Sequence, residues 1–141
     1  MYDLLIVGGG PAGLTATVYA ARKGTNLLLL THDIGGQVLW TMGIENYMGF
    51  QFVQGSELIG KFEDQVKQFP VDIKTEQRAK SISIADGGFL VDTETGDTYQ
   101  ARAVIVATGK RPRMLGVPGE EKLRGRGVTY CSICDGPVFT G

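Results

Sequence analysis

Two cysteines, Cys131 and Cys134, are separated by two residues in the sequence CSICDGP, and Asp135 follows them directly. A pair of thiols at this spacing can cycle between a disulfide and two thiols, and the reactive species is the thiolate. A carboxyl group beside the pair can give a proton to the thiol that leaves, or take one from it. These three residues therefore predict a redox-active disulfide as the catalytic centre.

Two other interpretations of the cysteine pair are a zinc site and a purely structural disulfide. A structural zinc site needs about four ligands, whereas the chain offers two cysteines and a single distant histidine, His32. A disulfide that closes so short a loop would constrain the unfolded chain little. No metal site is predicted, and redox chemistry is the favoured interpretation.

The second candidate site is a glycine-rich turn near the start of the chain, in which Gly8, Gly10 and Gly13 fit the pattern GxGxxG. The first glycine of this pattern allows a tight turn, the second lets the backbone approach a pyrophosphate, and the third lets a helix pack on a strand. Asp33 lies twenty residues after Gly13, where an acid that binds ribose is expected. A glycine turn that serves packing alone is the competing interpretation.

The elements around this turn predict a βαβ unit. The sequence YDLLIV indicates a strand, the residues after the turn have a helical pattern, and Gly24 lies where that helix would end. The sequence TNLLLL indicates a second strand that is buried on both faces. The tip of that strand is expected at Thr31 and His32, with Asp33 one step beyond.

The middle of the chain predicts one loop and one helix. Residues 35–55 show no clean period and are expected to form a long loop. The sequence SELIGKFEDQVKQF is amphipathic, with Ser56 as the expected N-cap and Pro70 as the stop.

Four short strand patterns follow this helix, namely VDIKTE, KSISIA, GFLVDTE and DTYQA. Hairpin turns are expected at 86–88 and at 95–97. A separate buried strand, AVIVATG, comes next, and a linker rich in proline and glycine follows it.

The composition is that of an ordinary globular protein. The chain has 141 residues, 43% of them hydrophobic and 21% charged, with a net charge of −1. The absence of a basic run argues against nucleic-acid binding, and no apolar stretch reaches membrane-spanning length. Met1 leads directly into the first strand without a basic leader, so we expect no signal peptide and a cytoplasmic location.

Several sequence blocks, in order along the chain, resemble the bacterial-type, low-molecular-weight thioredoxin reductases and the related flavoprotein subunit of alkyl hydroperoxide reductase. The blocks are VGGGPAGLTATVYAARKG, GGQV at 35–38, IENY at 44–47, VIVATGKRPR at 104–113 and GVTYCSICDGP at 127–137. The resemblance covers almost the whole chain. It implies an FAD-dependent pyridine-nucleotide–disulfide oxidoreductase that passes electrons from NADPH or NADH to a thioredoxin-like or other redoxin.

The resemblance also implies roles for individual residues. Cys134 would face the flavin, Cys131 would attack the disulfide of the redoxin, and Asp135 would handle the proton. Residues expected at FAD come from the glycine turn, the GGQV loop, the IENY block and the end of the last strand. These cofactor residues are Gly8, Gly10, Pro11, Ala12, Gly13, Asp33, Gly36, Gln37, Val38, Asn46, Thr108 and Gly109.

The fold expected from these observations is α/β, a Rossmann-like FAD-binding domain with a parallel sheet, a βαβ start and a small antiparallel meander. Residues 1–112 would form the first part of this domain, 113–118 a linker and 119–141 the beginning of an NAD(P)H-binding domain. Because the second domain would have little core of its own, we expect the chain to be a fragment of a longer protein. The resemblance also implies a homodimer, since members of the family commonly form dimers.

Three alternative functions are compatible with the same residues. The chain could be a non-catalytic nucleotide-binding module, a dithiol oxidase of the same fold that acts on small molecules, or a reductase that receives electrons from ferredoxin.

Overall fold

A computed structural model describes residues 1–41, 43–124 and 126–131. The chain divides into two compact units, of which the first is Met1–Gly109 and the second begins at Lys110. Cys134 and Asp135 lie outside the described residues.

The first unit is built on one six-stranded sheet with the order β3-β2-β1-β6-β5-β4. Its strands are β1 (Tyr2–Gly9), β2 (Leu27–Ile34), β3 (Asp72–Lys74), β4 (Ala79–Ala85), β5 (Gly88–Thr93) and β6 (Thr98–Val106). Its helices are α1 (Pro11–Ala21), a 3₁₀-helix (Gly36–Trp40) and α2 (Gly55–Val66). The second unit contains one short helix within the described residues, α3 (Glu120–Leu123).

The sheet has a parallel part and an antiparallel part. Strand β1 lies parallel to both β2 and β6, and β2 lies parallel to β3. Strands β4, β5 and β6 form an antiparallel meander, whose turns lie at 86–87 and around 95–97 as expected. The α/β fold class, with a βαβ start and a small meander, is confirmed.

The core lies on both faces of β1 and β2, because successive side chains of a strand point to opposite faces. Leu5 and Leu28 belong to a cluster that also contains Val91 of the meander. Ile6 and Leu29 belong to the opposite cluster, which side chains of α1 and α2 complete. The leucine-rich strand is therefore buried on both faces, as its composition predicted.

The sequence predicted two separate strands, DTYQA and AVIVATG, and this prediction was wrong. A single strand, β6, runs without a break from Thr98 to Val106. The charged residue between the two patterns, Arg102, has an exposed side chain that lies 3.5 Å from the carboxylate of Asp3. A charge on the solvent side of a strand does not interrupt the backbone ladder, so the strand continues through it. The predicted burial of this strand was also too high, since Val106 is 62% exposed.

Helix α2 begins before its expected cap. Its N-cap is Gln54, no side chain caps it, and Ser56 lies inside the helix. A side chain at Gly55 would overlap the carbonyl oxygen of Val38, so the first turn of α2 packs directly on the 3₁₀-helix. The helix ends at Val66, and a turn precedes Pro70.

Part of the segment that was expected to be a linker is held by a buried carboxylate. Glu120 is 6% exposed, and its oxygens accept hydrogen bonds from the backbone N–H groups of Leu115 at 2.9 Å and Gly116 at 2.6 Å. The N–H of Leu115 also points to the hydroxyl of Tyr130, at 3.1 Å. The domain boundaries at 112 and 119 stay predictions.

Candidate functional site

The glycine turn lies at the carboxyl edge of the parallel strands, where ligands bind in open α/β sheets. Strand β1 ends at Gly9 and α1 begins at Pro11. On one side of β1, the N–H of Ala107 donates to the carbonyl of Val7 at 2.8 Å just after the end of β6. On the other side lies the end of β2. The ends of three strands thus surround the turn.

Two glycines of the turn are required because another backbone lies against them. Gly8 has a φ of +112°, and a side chain there would overlap the carbonyl oxygen of Ala107. A side chain at Gly13 would overlap the carbonyl oxygen of Gly8, so α1 packs tightly on the end of β1. For these two positions, packing alone is a sufficient reason for glycine.

Gly10 is different, because neither backbone strain nor packing requires a glycine there. Its φ is −75°, which any residue can adopt. Apart from its chain neighbours, no atom of the described residues lies within 4 Å of the position that a Cβ would take. What glycine provides at this position is open space beside the backbone. That is the property expected of a residue that lets a ligand approach the main chain.

Within the described residues, no side chain caps the helix behind this open space. Pro11 occupies the first helical position, and the first turn contains no acid. The first N–H groups of a helix lack intrahelical partners and carry the positive end of the helix dipole. An anion such as a pyrophosphate is the partner that this arrangement favours.

The loop that contains GGQV comes to the glycine turn. The N–H of Gly35 donates to the carbonyl of Gly9 at 2.8 Å, and a Cβ on Gly36 would lie 3.7 Å from the Cα of Gly10. Gln37 and Val38 follow in the 3₁₀-helix and are half-buried. The structure thus brings together two groups of predicted cofactor residues that are about 25 positions apart in the chain.

Three residues in this region were not selected as site residues, although each contacts the turn. Gly9 is buried between the ends of the strands, and its N–H donates to the hydroxyl of Thr31 at 2.8 Å. The hydroxyl of Thr31 in turn donates to the carbonyl of Asp33 at 2.7 Å. Gly35 supplies the bond to Gly9. The signal in the sequence that could have identified Thr31 is that this polar residue directly follows a run of four leucines.

The remaining predicted cofactor residues have less uniform positions. Thr108 lies beside the turn, since its Cα would be 3.2 Å from a Cβ on Gly8, and the exposed Gly109 follows it. Asp33 has an exposed side chain within β2 rather than beyond the strand. Asn46 is exposed in the loop between the 3₁₀-helix and α2.

A shallow depression elsewhere in the first unit contains none of the predicted residues. It lies between the end of the 3₁₀-helix and the start of α2 and is mostly apolar. The residues that line it are Leu39, Thr41, Gly43, Phe52, Gln54 and Ser56.

Of the predicted redox residues, only Cys131 lies in the described part of the chain. It is not a free thiol, and its N–H donates to the hydroxyl of Thr129 at 3.1 Å. Within the described ranges, no group of three or more histidine, cysteine or acidic side chains could hold a metal ion. In the same ranges, no helix combines the length and the apolar character needed to cross a membrane.

Residues 2–139 match the pyridine nucleotide-disulphide oxidoreductase family. The chain belongs to this family. Among curated relatives, an alkyl hydroperoxide reductase subunit of Pseudomonas putida is 48% identical over 142 residues, which cover 99% of this chain and 27% of that protein. An NADH dehydrogenase from Bacillus subtilis is 42% identical over 140 residues, with the same two coverages.

Solved structures agree with these relatives. A thioredoxin reductase from Streptococcus pyogenes superposes with a TM-score of 0.85 at 42% identity, covering 99% of this chain and 45% of that one. A thioredoxin reductase from T. acidophilum gives a TM-score of 0.79 at 41% identity, covering 98% and 45%. The resemblance found in the sequence is confirmed. The chain spans about a quarter of the length of the curated relatives and just under half of the solved ones.

Proposed function

We propose that this chain is part of an FAD-dependent pyridine-nucleotide–disulfide oxidoreductase. In the complete protein, two electrons pass from NADPH or NADH through FAD to the disulfide of Cys131 and Cys134. They then pass to the disulfide of a thioredoxin-like redoxin.

The observation that carries this proposal is the open space at Gly10 in front of an uncapped helix N-terminus. A pyrophosphate needs close approach to a backbone and N–H donors without competing carboxylates, and the first turn of α1 offers both. The loop at Gly36, where an added Cβ would lie 3.7 Å from the Cα of Gly10, would extend the same site beyond the phosphates. These features fit a dinucleotide better than a single phosphate.

The residues that would hold FAD follow from this arrangement. Gly8 and residues 10–13 would bind the pyrophosphate, Asp33 the ribose, and residues 36–38 with Asn46 the flavin half. Thr108 and Gly109 would close the site at the end of β6. When bound, FAD supplies the two-electron carrier between the nicotinamide and the disulfide, which no protein side chain can supply.

The cysteines would then perform a thiol–disulfide exchange. The Cys131 thiolate attacks one sulfur of the redoxin disulfide and forms a mixed disulfide, and Cys134 displaces the redoxin by forming the Cys131–Cys134 bond. Asp135 gives a proton to the thiolate that leaves. The names of the relatives support a redoxin-type acceptor. A homodimer is expected from the resemblance, and a cytoplasmic location stays a prediction from the sequence.

Binding of FAD tests the proposal most directly. The purified chain is incubated with FAD, the excess is removed, and the visible absorption spectrum is recorded. We expect a retained flavin band for the wild type and none for Gly10→Leu, because the leucine fills the space without strain in the backbone. Gly60→Leu is the matched control, since a Cβ at Gly60 likewise meets no atom of the described residues outside its own helix within 4 Å, but Gly60 lies in α2.

The Gly10→Leu variant should lose the FAD site and keep its fold. Gly10→Leu should keep the far-ultraviolet circular dichroism and the urea midpoint of the wild type. A chain that retains FAD equally well with leucine at position 10 would show that the pyrophosphate does not lie there. A wild type that never retains FAD would contradict the assignment of the cofactor to this chain.

The roles of the two cysteines can be distinguished in the FAD-loaded chain. In Cys131→Ser the remaining thiolate would face the flavin, so we expect a long-wavelength thiolate–flavin absorption band that grows as the pH is raised. Cys134→Ser should lack this band. The opposite pattern would exchange the two roles.

A further inference from the structure

The strand β2 changes character at Thr31. The four residues before it, Leu27–Leu30, are leucines with at most 3% exposure, and Thr31 continues the same buried strand at 6%. A hydroxyl in such a position costs free energy unless it is hydrogen-bonded. Thr31 therefore calls for a reason beyond hydrophobic packing.

The β1–β2 ladder shifts at this point. Residues pair in regular register from Leu4 with Leu27 to Val7 with Leu30, and the next pair is Gly9 with Ile34. Between these last two pairs β1 advances by two residues and β2 by four (Val7 to Gly9, Leu30 to Ile34). The two extra residues form a bulge in β2, and Thr31 is its first residue.

The hydroxyl of Thr31 closes this bulge with two hydrogen bonds. It accepts from the N–H of Gly9 at 2.8 Å and donates to the carbonyl of Asp33 at 2.7 Å. A Cβ on Gly9 would lie 2.7 Å from the carbonyl oxygen of Asp33 and 2.8 Å from the Thr31 hydroxyl, so the contact is tight. The carbonyl of Gly9 is also used, because it accepts from Gly35.

Both backbone groups of Gly9 are thus hydrogen-bonded. Its N–H donates to Thr31 in the β2 bulge, and its carbonyl accepts from Gly35 in the loop that follows β2. Gly10 follows Gly9 in the chain and Gly36 follows Gly35, and a Cβ on Gly36 would lie 3.7 Å from the Cα of Gly10. The hydroxyl of Thr31 therefore controls how the glycine turn is set against residues 35–38. A ligand that touches both segments binds more tightly when they are held in place before it arrives.

We infer that Thr31 is a positioning residue of the FAD site, whose hydroxyl sets the glycine turn against the loop that begins at Gly35. The inference rests on the proposed function. Thr31 does not need to touch FAD, since it acts through the main chain of Gly9.

Three variants test this inference in the full chain. Thr31→Val keeps the shape of the side chain and removes the hydroxyl, whereas Thr31→Ser keeps the hydroxyl. Thr93→Val is the matched control. Thr93 is 3% exposed, and its hydroxyl likewise accepts a backbone N–H, that of Asp97 at 3.0 Å, but it lies in the meander.

The measurements are the dissociation constant for FAD, by titration of flavin fluorescence, and the urea midpoint without FAD. We expect Thr31→Val to weaken FAD binding by about tenfold, because the N–H of Gly9 is left buried without an acceptor. Thr31→Ser should stay within about twofold of the wild type. Thr93→Val should lower the urea midpoint and leave FAD binding unchanged.

Three outcomes would overturn the inference. Thr31→Val could bind FAD like the wild type, Thr31→Ser could be as weak as Thr31→Val, or Thr93→Val could weaken binding as much as Thr31→Val does. The last result would mean that stability alone controls binding. If the wild type itself fails to bind FAD, the proposed function fails first, and the two failures are distinguished by that measurement.

If Thr31→Val does not fold, hydrogen exchange in the wild type tests the role of Thr31 instead. In the wild type without FAD, the amide of Gly9 should exchange slowly, since its acceptor is a buried hydroxyl. FAD should slow the exchange of the Gly9 and Gly35 amides together. A Gly9 amide that exchanges like an exposed one, or protection of Gly9 without Gly35, would contradict the role of Thr31.

Discussion

The glycine-lined edge of the sheet and the antiparallel meander are stabilised by different means, although β6 runs through both. At the edge, backbones of separate elements lie against one another, and Gly8 and Gly13 leave no room for a side chain. In the meander, exposed side chains make hydrogen bonds across the strands. Asp92, for example, accepts from the hydroxyls of Ser81 and Thr98, both at 2.8 Å.

Two glycines, Gly96 in the meander and Gly13 at the edge, are required for different reasons. Gly96, in the turn between β5 and β6, has a φ of +93° and nothing within 4 Å of its Cβ position. It is needed for its backbone conformation, whereas Gly13 is needed for its size. Gly10 belongs to neither kind, because it has both an ordinary conformation and free space. Gly60 of α2 shares these two properties, so it is the place of Gly10 in front of the N-terminus of α1 that makes this glycine an indication of a ligand.

Gly13→Ala should produce the largest loss of stability. An alanine would usually stabilise a helix relative to glycine, but here the new methyl group meets the carbonyl oxygen of Gly8, which belongs to a packed backbone and cannot move aside. We expect the free energy of unfolding to fall by about 3 kcal/mol or more. Urea denaturation followed by circular dichroism measures this loss. A loss below about 1 kcal/mol would show that α1 can shift away from β1 at little cost.

Gly96→Ala should have a smaller effect of a different origin. The methyl group meets nothing, but the positive φ disfavours any residue with a side chain, so we expect a loss of about 1 kcal/mol. Gly96→Asn should lose less, because asparagine adopts positive φ more readily than alanine does. The same urea titration applies. Equal losses for alanine and asparagine would mean that conformation is not what requires glycine at this turn.

The sequence was sufficient to predict the elements whose signal is local. The GxGxxG pattern predicted the turn between β1 and α1, and the glycines at 86–88 and 95–97 predicted the hairpins. Each of these depends on residues that are neighbours in the chain. The four leucines predicted burial on both faces of β2 for the same reason.

Features that depend on distant contacts could not be predicted in this way. Ser56 has the right chemistry for an N-cap, but the helix begins earlier because Gly55 packs on the backbone of Val38. Thr31 was visible as the end of a leucine run, yet its bond to Gly9 arises only from the shift in the β1–β2 ladder. The roles of all the predicted site residues, including Asn46 and the cysteine pair, stay predictions.

Gly60→Ala should change the free energy of unfolding in the opposite direction to Gly13→Ala. Both glycines lie in helices, but nothing lies within 4 Å of the Cβ position at Gly60. Only the helix propensity then remains, and we expect the free energy of unfolding to rise by about 0.5–1 kcal/mol. A destabilised Gly60→Ala would show that α2 is packed more tightly at this position than the structure indicates.

The smallest predicted effect is a pH dependence that belongs to the meander and not to the glycine edge. Hydrogen bonds from Thr98 and then Ser81 lower the pKa of Asp92 below its ordinary value of 3.8. Because the folded pKa is the lower one, Asp92 contributes stability above the ordinary value, and the contribution is lost as the pH falls through the folded pKa. Asp92→Asn should therefore have a lower urea midpoint than the wild type at about pH 6, and the two midpoints should converge as the pH falls below 3.8 and then through the folded pKa. The Gly13→Ala loss involves no titrating group and should be the same across this pH range. A difference for Asp92→Asn that does not change with pH would assign the effect to the shape of the side chain rather than to its charge.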